Sequence, residues 1–132
     1  MNYSLRKKAL RIITNSHWQC HTAPLFEKLR ILNIYSLNNL QVGCFMYRAT
    51  HSLLPVYYND MFTHNFNIHD HDTRHKTDLH TLHHKLNSRT YSVRTYGTTL
   101  WNSLDIDLRN ASTLSNFRNK YKRLLLTQIT HE

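Results

Sequence analysis

The order of apolar and polar residues predicts a chain of helices joined by polar connectors. In "SLRKKALRII", Leu5, Ala9, Ile12 and Ile13 recur at helical spacing, with Lys7, Lys8 and Arg11 on the opposite side. In "APLFEKLRIL", Thr22 stands at the cap position, Pro24 suits the first turn, and Leu25, Phe26, Leu29 and Leu32 make the inward stripe. "SLNNLQVGCFMYRATHSLL" spaces Leu37, Leu40, Cys44, Phe45 and Arg48 by three and four, and Val42, Met46 and Tyr47 fill the flanks. A helix so nearly apolar all round belongs at the centre of a bundle, and Pro55 stops it.

Beyond Thr63 the pattern changes. Residues 63–80 hold only Phe66, Ile68 and Leu79 as large apolar side chains, without a period, which predicts a loop. Tyr91, Val93 and Thr95 then alternate with Ser92, Arg94 and Tyr96, so a β-hairpin pairing roughly 80–86 with 90–95 is expected around an Asn87-Ser88 turn. Helical spacing returns near Thr98, with Leu100, Trp101 and Leu104 facing inward. The last helix carries Leu114, Phe117, Tyr121, Leu124 and Leu125 on one stripe and Arg118, Lys120, Lys122 and Arg123 outside, with Ser112 as its expected N-cap.

The predicted fold class is therefore mainly α, a small helical domain with one β-hairpin between the third and fourth long helices. One domain over 1–132 is expected: helical over 1–62, a histidine-rich loop over 63–80, the hairpin over 81–96 and helical again over 97–130. Composition agrees, because 40% hydrophobic residues suffice for a core, and Gly 2 and Pro 2 are too few for a turn-rich sandwich or barrel. Two cysteines, Cys20 and Cys44, cannot form a disulfide framework and read as buried, reduced thiols. The N-terminus has charge where a signal peptide has its apolar core, so an intracellular, cytoplasmic or nuclear place without a membrane partner is expected.

Charge narrows the function. Lys and Arg number 17 against 8 Asp and Glu, a formal net charge of +9 that attracts polyanions. RNA or DNA is the expected partner, through Lys7, Lys8, Arg11, Arg74, Lys76, Arg89, Arg94, Arg118, Lys122 and Arg123. The competing chemistry lies in "NIHDHDTRHKTDLHTLHH", residues 67–84, of which six are histidine. His71 with His75, and His80 with His84, have the intervals of paired metal ligands, so a metal-binding protein using these four is the alternative. Protonation of such a run in mildly acidic buffer adds positive charge in either case.

Catalysis is not expected. Two glycines leave no material for a phosphate-cradling loop, and no nucleophile elbow or His-Glu-x-x-His helix occurs. The pairs Asp70/Asp72 and Asp105/Asp107 lack the apolar strand context that aims two carboxylates at one ion, and no cofactor is expected.

One collinear set of short patterns carries a family resemblance. "RKKALRIIT", "HTAPLFEKLRIL", "LQVGCFMYR", "LLP", "IHDHDTR" and "YGTTLWNSL" resemble, in that order, the C-terminal region that follows the polymerase and thumb of reverse transcriptases from non-LTR retrotransposons, the LINE and jockey-like elements. The resemblance runs from about Leu5 to Leu125. The family's pattern falls on His21, Thr22, Pro24, Leu25 and Phe26; on Gln41, Phe45, Met46 and Tyr47; on His69, Thr73 and Arg74; and on Leu100, Trp101, Asn102, Ser103 and Leu104. Two departures stand out: Gly97-Thr98 where the family has Gly-Pro, and Leu104-Asp105 where it has Leu-Pro.

The resemblance implies a non-catalytic piece, since the palm with its metal-binding aspartates lies upstream in such polymerases. It also implies a role in holding element RNA and target DNA, with His69, Thr73 and Arg74 ordering the loop. An unselected retroelement remnant without function stays open beside it.

Overall fold

The computed structural model describes residues 3–68, 70–85 and 89–129. The longer elements are α1 (Tyr3–Ile13), α2 (Ala23–Lys28), α3 (Ile34–Thr50), α4 (Thr98–Ser103), α5 (Ile106–Arg109) and α6 (Leu114–Ile129). Short 3-10 turns at Val56–Met61 and Asn65–Asn67 and a π-helical turn at Val93–Gly97 join them. The fold is mainly helical, as the periodicity predicted.

The expected hairpin is not seen. Among the described residues there is no strand, only an isolated antiparallel bridge between His64 and Leu79. The anticipated Asn87-Ser88 turn lies outside the described residues. On the second arm, Tyr96 N–H returns to the Ser92 carbonyl at 2.8 Å and the chain winds into the π-turn. The alternation of Tyr91, Val93 and Thr95 misled because Val93, Thr95 and Tyr96 are all half-buried and Gly97 is buried, so residues of both expected strand faces turn inward. Threonines complete the junction with α4. Thr98 Oγ1 donates to the Arg94 and Thr95 carbonyls at 2.8 and 2.9 Å, and Thr99 Oγ1 to Thr95 at 2.9 Å, so both hydroxyls reinforce a Thr95 carbonyl that already accepts the Thr98 N–H.

The chain divides into two compact units, Met1–Leu40 with Asn119–Glu132, and Gln41–Arg118. In the first, α1 packs on α2, and Leu10, Leu25, Phe26, Leu32, Leu40, Tyr121 and Leu125 are buried. The α2 stripe is as expected except that Leu29, just past the end of the helix, is only half-buried. The α1 stripe is rotated. Leu10 is its buried residue, whereas Leu5, Ile12 and Ile13 are 58%, 79% and 67% exposed. Arg11 explains part of this: its Nε–H donates to the Cys20 carbonyl at 3.0 Å, so the chain after α1 folds back along the basic side of the helix. The long stems of such residues cover apolar surface while their charged ends stay wet.

The second unit is built around aromatic side chains. Phe117 and Met46 are fully buried, and the Tyr47 ring stacks on Phe117 at 5.0 Å and meets Trp101 edge-on at 6.5 Å. Tyr47 also donates its hydroxyl to the buried Ala111 carbonyl at 2.7 Å. Met46 and Tyr47, expected on the flanks of α3, are thus its most buried residues; Cys44 and Phe45 are half-buried and Arg48 is exposed. Gly97 is required by a close approach. A Cβ there would lie 2.7 Å from Met46 Sδ.

The helix ends show how a chain with Gly 2 manages without glycine. Asn15, Arg30 and Ser52 take φ of 50°, 52° and 55°, the left-handed conformation of a Schellman C-cap. The next residue's N–H closes the motif each time: Ser16 to Arg11 O at 2.8 Å, Ile31 to Phe26 O at 2.9 Å and Leu53 to Arg48 O at 2.8 Å. Because this conformation costs a side-chain-bearing residue about 1 kcal/mol, Ser52→Gly is expected to raise stability by up to that amount. Thermal unfolding checks it; an unchanged or lower Tm counts against the cap. At α6, Thr113 is the N-cap in place of Ser112, its hydroxyl accepting the Asn116 N–H at 3.1 Å.

Candidate nucleic-acid interface

The two units differ sharply in charge. Met1–Leu40 with Asn119–Glu132 contains nine Lys and Arg against two Glu, whereas Gln41–Arg118 contains eight against six Asp. Most of the net charge therefore sits in the first unit. Of the expected contact residues, Lys7, Lys8, Arg11, Lys122 and Arg123 belong to the first unit and Arg74, Lys76, Arg89, Arg94 and Arg118 to the second.

Within the first unit, Lys8 and Arg123 are exposed, and Lys7, Arg11 and Lys122 are half-buried. Lys8 and Arg11 are brought together in one groove of about 540 Å³ at the end of α1, shared with Ile12, Asn15, Ser16 and Trp18. In the second unit several cations are already engaged. Lys76 Nζ pairs with Asp72 Oδ1 at 2.7 Å, and Arg94 donates to the Met61 carbonyl at 3.3 Å. Arg74, Arg89 and Arg118 are exposed. Outside the contact set, Arg109 holds Asp78 at 2.9 Å.

The histidine-rich segment is a tethered loop. Asn102, on α4, clamps it with both ends of one amide: Oδ1 accepts the Leu79 N–H at 3.0 Å and Nδ2 donates to the Leu79 carbonyl at 2.8 Å. A side-chain amide thus stands where a neighbouring strand would pair, and Leu79 is buried. Asn65 adds a bond from Nδ2 to the His75 carbonyl at 2.9 Å, and His64 Nδ1 donates to the Thr77 carbonyl at 3.0 Å. Thr73 and Arg74, expected to order the loop, are exposed, and His69 lies outside the described residues. The tethers are Asn65, Asp78 and Asn102.

Asp78 closes the loop onto α5. Its carboxylate accepts from His75 Nδ1 at 2.8 Å and from Arg109 at 2.9 Å. Burial by itself raises the carboxyl pKa, but the hydrogen bonds and positive charges of His75 and Arg109 outweigh it and hold Asp78 below its ordinary value of 3.8. A carboxylate shifted this way stabilises the fold fully above the unfolded value and loses that contribution as pH falls through the folded one. Asp78→Asn is therefore expected to be less stable than the parent near pH 6, and by a smaller margin once the pH is taken well below 3.8. Urea denaturation under both conditions tests this; a constant difference would point to packing instead.

The four histidines of the metal alternative are not gathered. His75 and His80 line one groove of about 490 Å³ with His83, whereas His84 bonds to the Leu82 carbonyl and to Thr90 Oγ1, each at 3.2 Å, and His71 lies exposed. Among the described residues, no three His, Cys, Asp or Glu side chains lie where they could share an ion. Both cysteines are free and half-buried, less enclosed than expected. Burial pushes the Cys44 thiol up, against the lowering influence of Arg118 and Arg48.

Two features escaped the sequence reading. Trp18 stands 71% exposed, flanked by the polar His17 and Gln19, a setting in which a tryptophan has no apolar neighbours to join. Asn102 sits inside "LWNSL", where its role depends on a partner 23 residues away. Among the described residues no helix is long and apolar enough to cross a membrane. Comparison with protein-family models, with curated proteins and with solved structures found no match.

Proposed function

We propose that this chain is a nucleic-acid-binding domain without catalytic activity of its own, similar to the post-thumb region of a LINE-type reverse transcriptase. The observation that carries the binding reading is the nine-to-two excess of Lys and Arg over carboxylates in the first unit. Such a surface gains affinity by releasing the counterions condensed on a phosphate backbone. RNA or single-stranded DNA is the expected ligand.

The similarity to the reverse transcriptases rests on the ordered patterns, and the structure supplies physical reasons for some of their residues. Tyr47 and Trp101 build the second unit's aromatic core, and Asn102 fixes the loop. In a full-length element the partner domains would be the upstream polymerase and thumb. Anisotropy of a labelled single-stranded RNA, titrated with the protein at low salt, tests the proposal; no association at micromolar protein would refute it.

A further inference from the structure

The groove at the end of α1 has a composition that bulk charge does not require. Its wall is Trp18, 71% exposed and tilted against the His17 ring with centroids 5.9 Å apart. Lys8 and Arg11 line the same space, along with Ile12, Asn15 and Ser16. Arg11 is fixed in place by its bond to the Cys20 carbonyl, and Asn15 is fixed by the left-handed cap that ends the helix. The residues before Glu27 include no carboxylate, so nothing near in sequence offsets these cations.

We infer that this groove is a nucleobase-stacking site, in which an unpaired base of a single-stranded nucleic acid lies on the Trp18 ring while Lys8 and Arg11 hold the flanking phosphates. The inference rests on the nucleic-acid function proposed above and assigns it a location. An indole face accepts any base, and stacking on aromatic side chains beside a cationic groove is how single strands are held without sequence preference. The volume of about 540 Å³ falls within the range of about 300–1,000 Å³ typical of small-ligand pockets. Asn15 and Ser16 offer amide and hydroxyl groups to a base edge; a lipid chain in the same place would desolvate them without return.

The chain's two tryptophans make the site readable, since Trp101 is 4% exposed and only Trp18 can meet a ligand face to face. The experiment titrates the whole chain at low salt with three probes: oligouridylate, inorganic polyphosphate of equal charge, and vesicles of phosphatidylserine and phosphatidylcholine. The expected result is quenching of Trp18 by oligouridylate and binding of polyphosphate without quenching. Trp18→Ala should weaken oligouridylate about tenfold and leave polyphosphate unchanged. Trp18→Phe, which keeps a smaller ring, should restore most of the loss. Equal affinity of Trp18→Ala and the parent for oligouridylate would overturn the stacking site while leaving electrostatic binding intact. A blue shift with vesicles and no response to oligouridylate would overturn it in favour of a lipid surface. Failure of both polyanions to bind would end the proposed function together with the site.

Discussion

Phe117→Ala is expected to lower the unfolding free energy of the second unit by about 3–5 kcal/mol, the usual cost of emptying an aromatic site in a core. Phe117 is fully buried and stands between the rings of Tyr47, at 5.0 Å, and Trp101, at 5.8 Å, so its loss opens a hole that three helices share. Neither neighbour can fill it freely. Tyr47 is tied through its hydroxyl to Ala111, and Trp101 lies one residue before Asn102, which is tied to Leu79. Domains are stable by only about 5–15 kcal/mol, so this one change would consume a large share of the total. Tyr47→Phe is the milder companion: it keeps the ring and leaves the buried Ala111 carbonyl unpaired, at a cost of about 1–3 kcal/mol. Urea unfolding followed by the fluorescence of Trp101 ranks the two. A Phe117→Ala change below about 1 kcal/mol would mean that this cluster is not the core of the unit.

Neutralising the first unit is expected to have the larger effect on binding. Lys8, Lys120 and Arg123 are exposed, so their replacement by glutamine leaves packing untouched. Each phosphate contact to a single strand contributes roughly 0.7 to the slope of log affinity against log salt, so losing three flattens it by about 2. Between about 50 and 200 mM salt, that is a difference of about sixteenfold in how far affinity falls. The matching triple replacement of Arg74, Lys85 and Arg89, also exposed, should do less, because the second unit's cations are nearly balanced by its carboxylates. Electrophoretic mobility shifts with a single-stranded RNA compare the two triples; equal losses would remove the distinction between the units.

Helices were legible because their apolar positions repeat over several turns. α3, α4 and α6 lie where the spacing placed them, and Phe117, Tyr121 and Leu125 are the buried stripe expected of α6. The rotation of α1 was not legible, since which side of an eleven-residue helix turns inward depends on the return of the chain through Cys20. The hairpin failed for a related reason. A six-residue alternation fits a strand or a tight helical turn equally, and the choice was made by Gly97 passing over Met46 and by threonines bonding back to the π-turn. In the interface, charge was visible by counting, but its concentration in one unit required knowing that residues 119–132 join residues 1–40. The groove at Trp18 needed the same information at shorter range.

Affinity for nucleic acid is proposed to come from the cationic first unit. The most direct test is the equilibrium constant of the unaltered chain for a single-stranded RNA of mixed sequence, measured across about 50 to 200 mM salt. Six contacts, from Lys7, Lys8, Arg11, Lys120, Lys122 and Arg123, predict a logarithmic slope of about −4. A slope near zero, with binding intact, would contradict it.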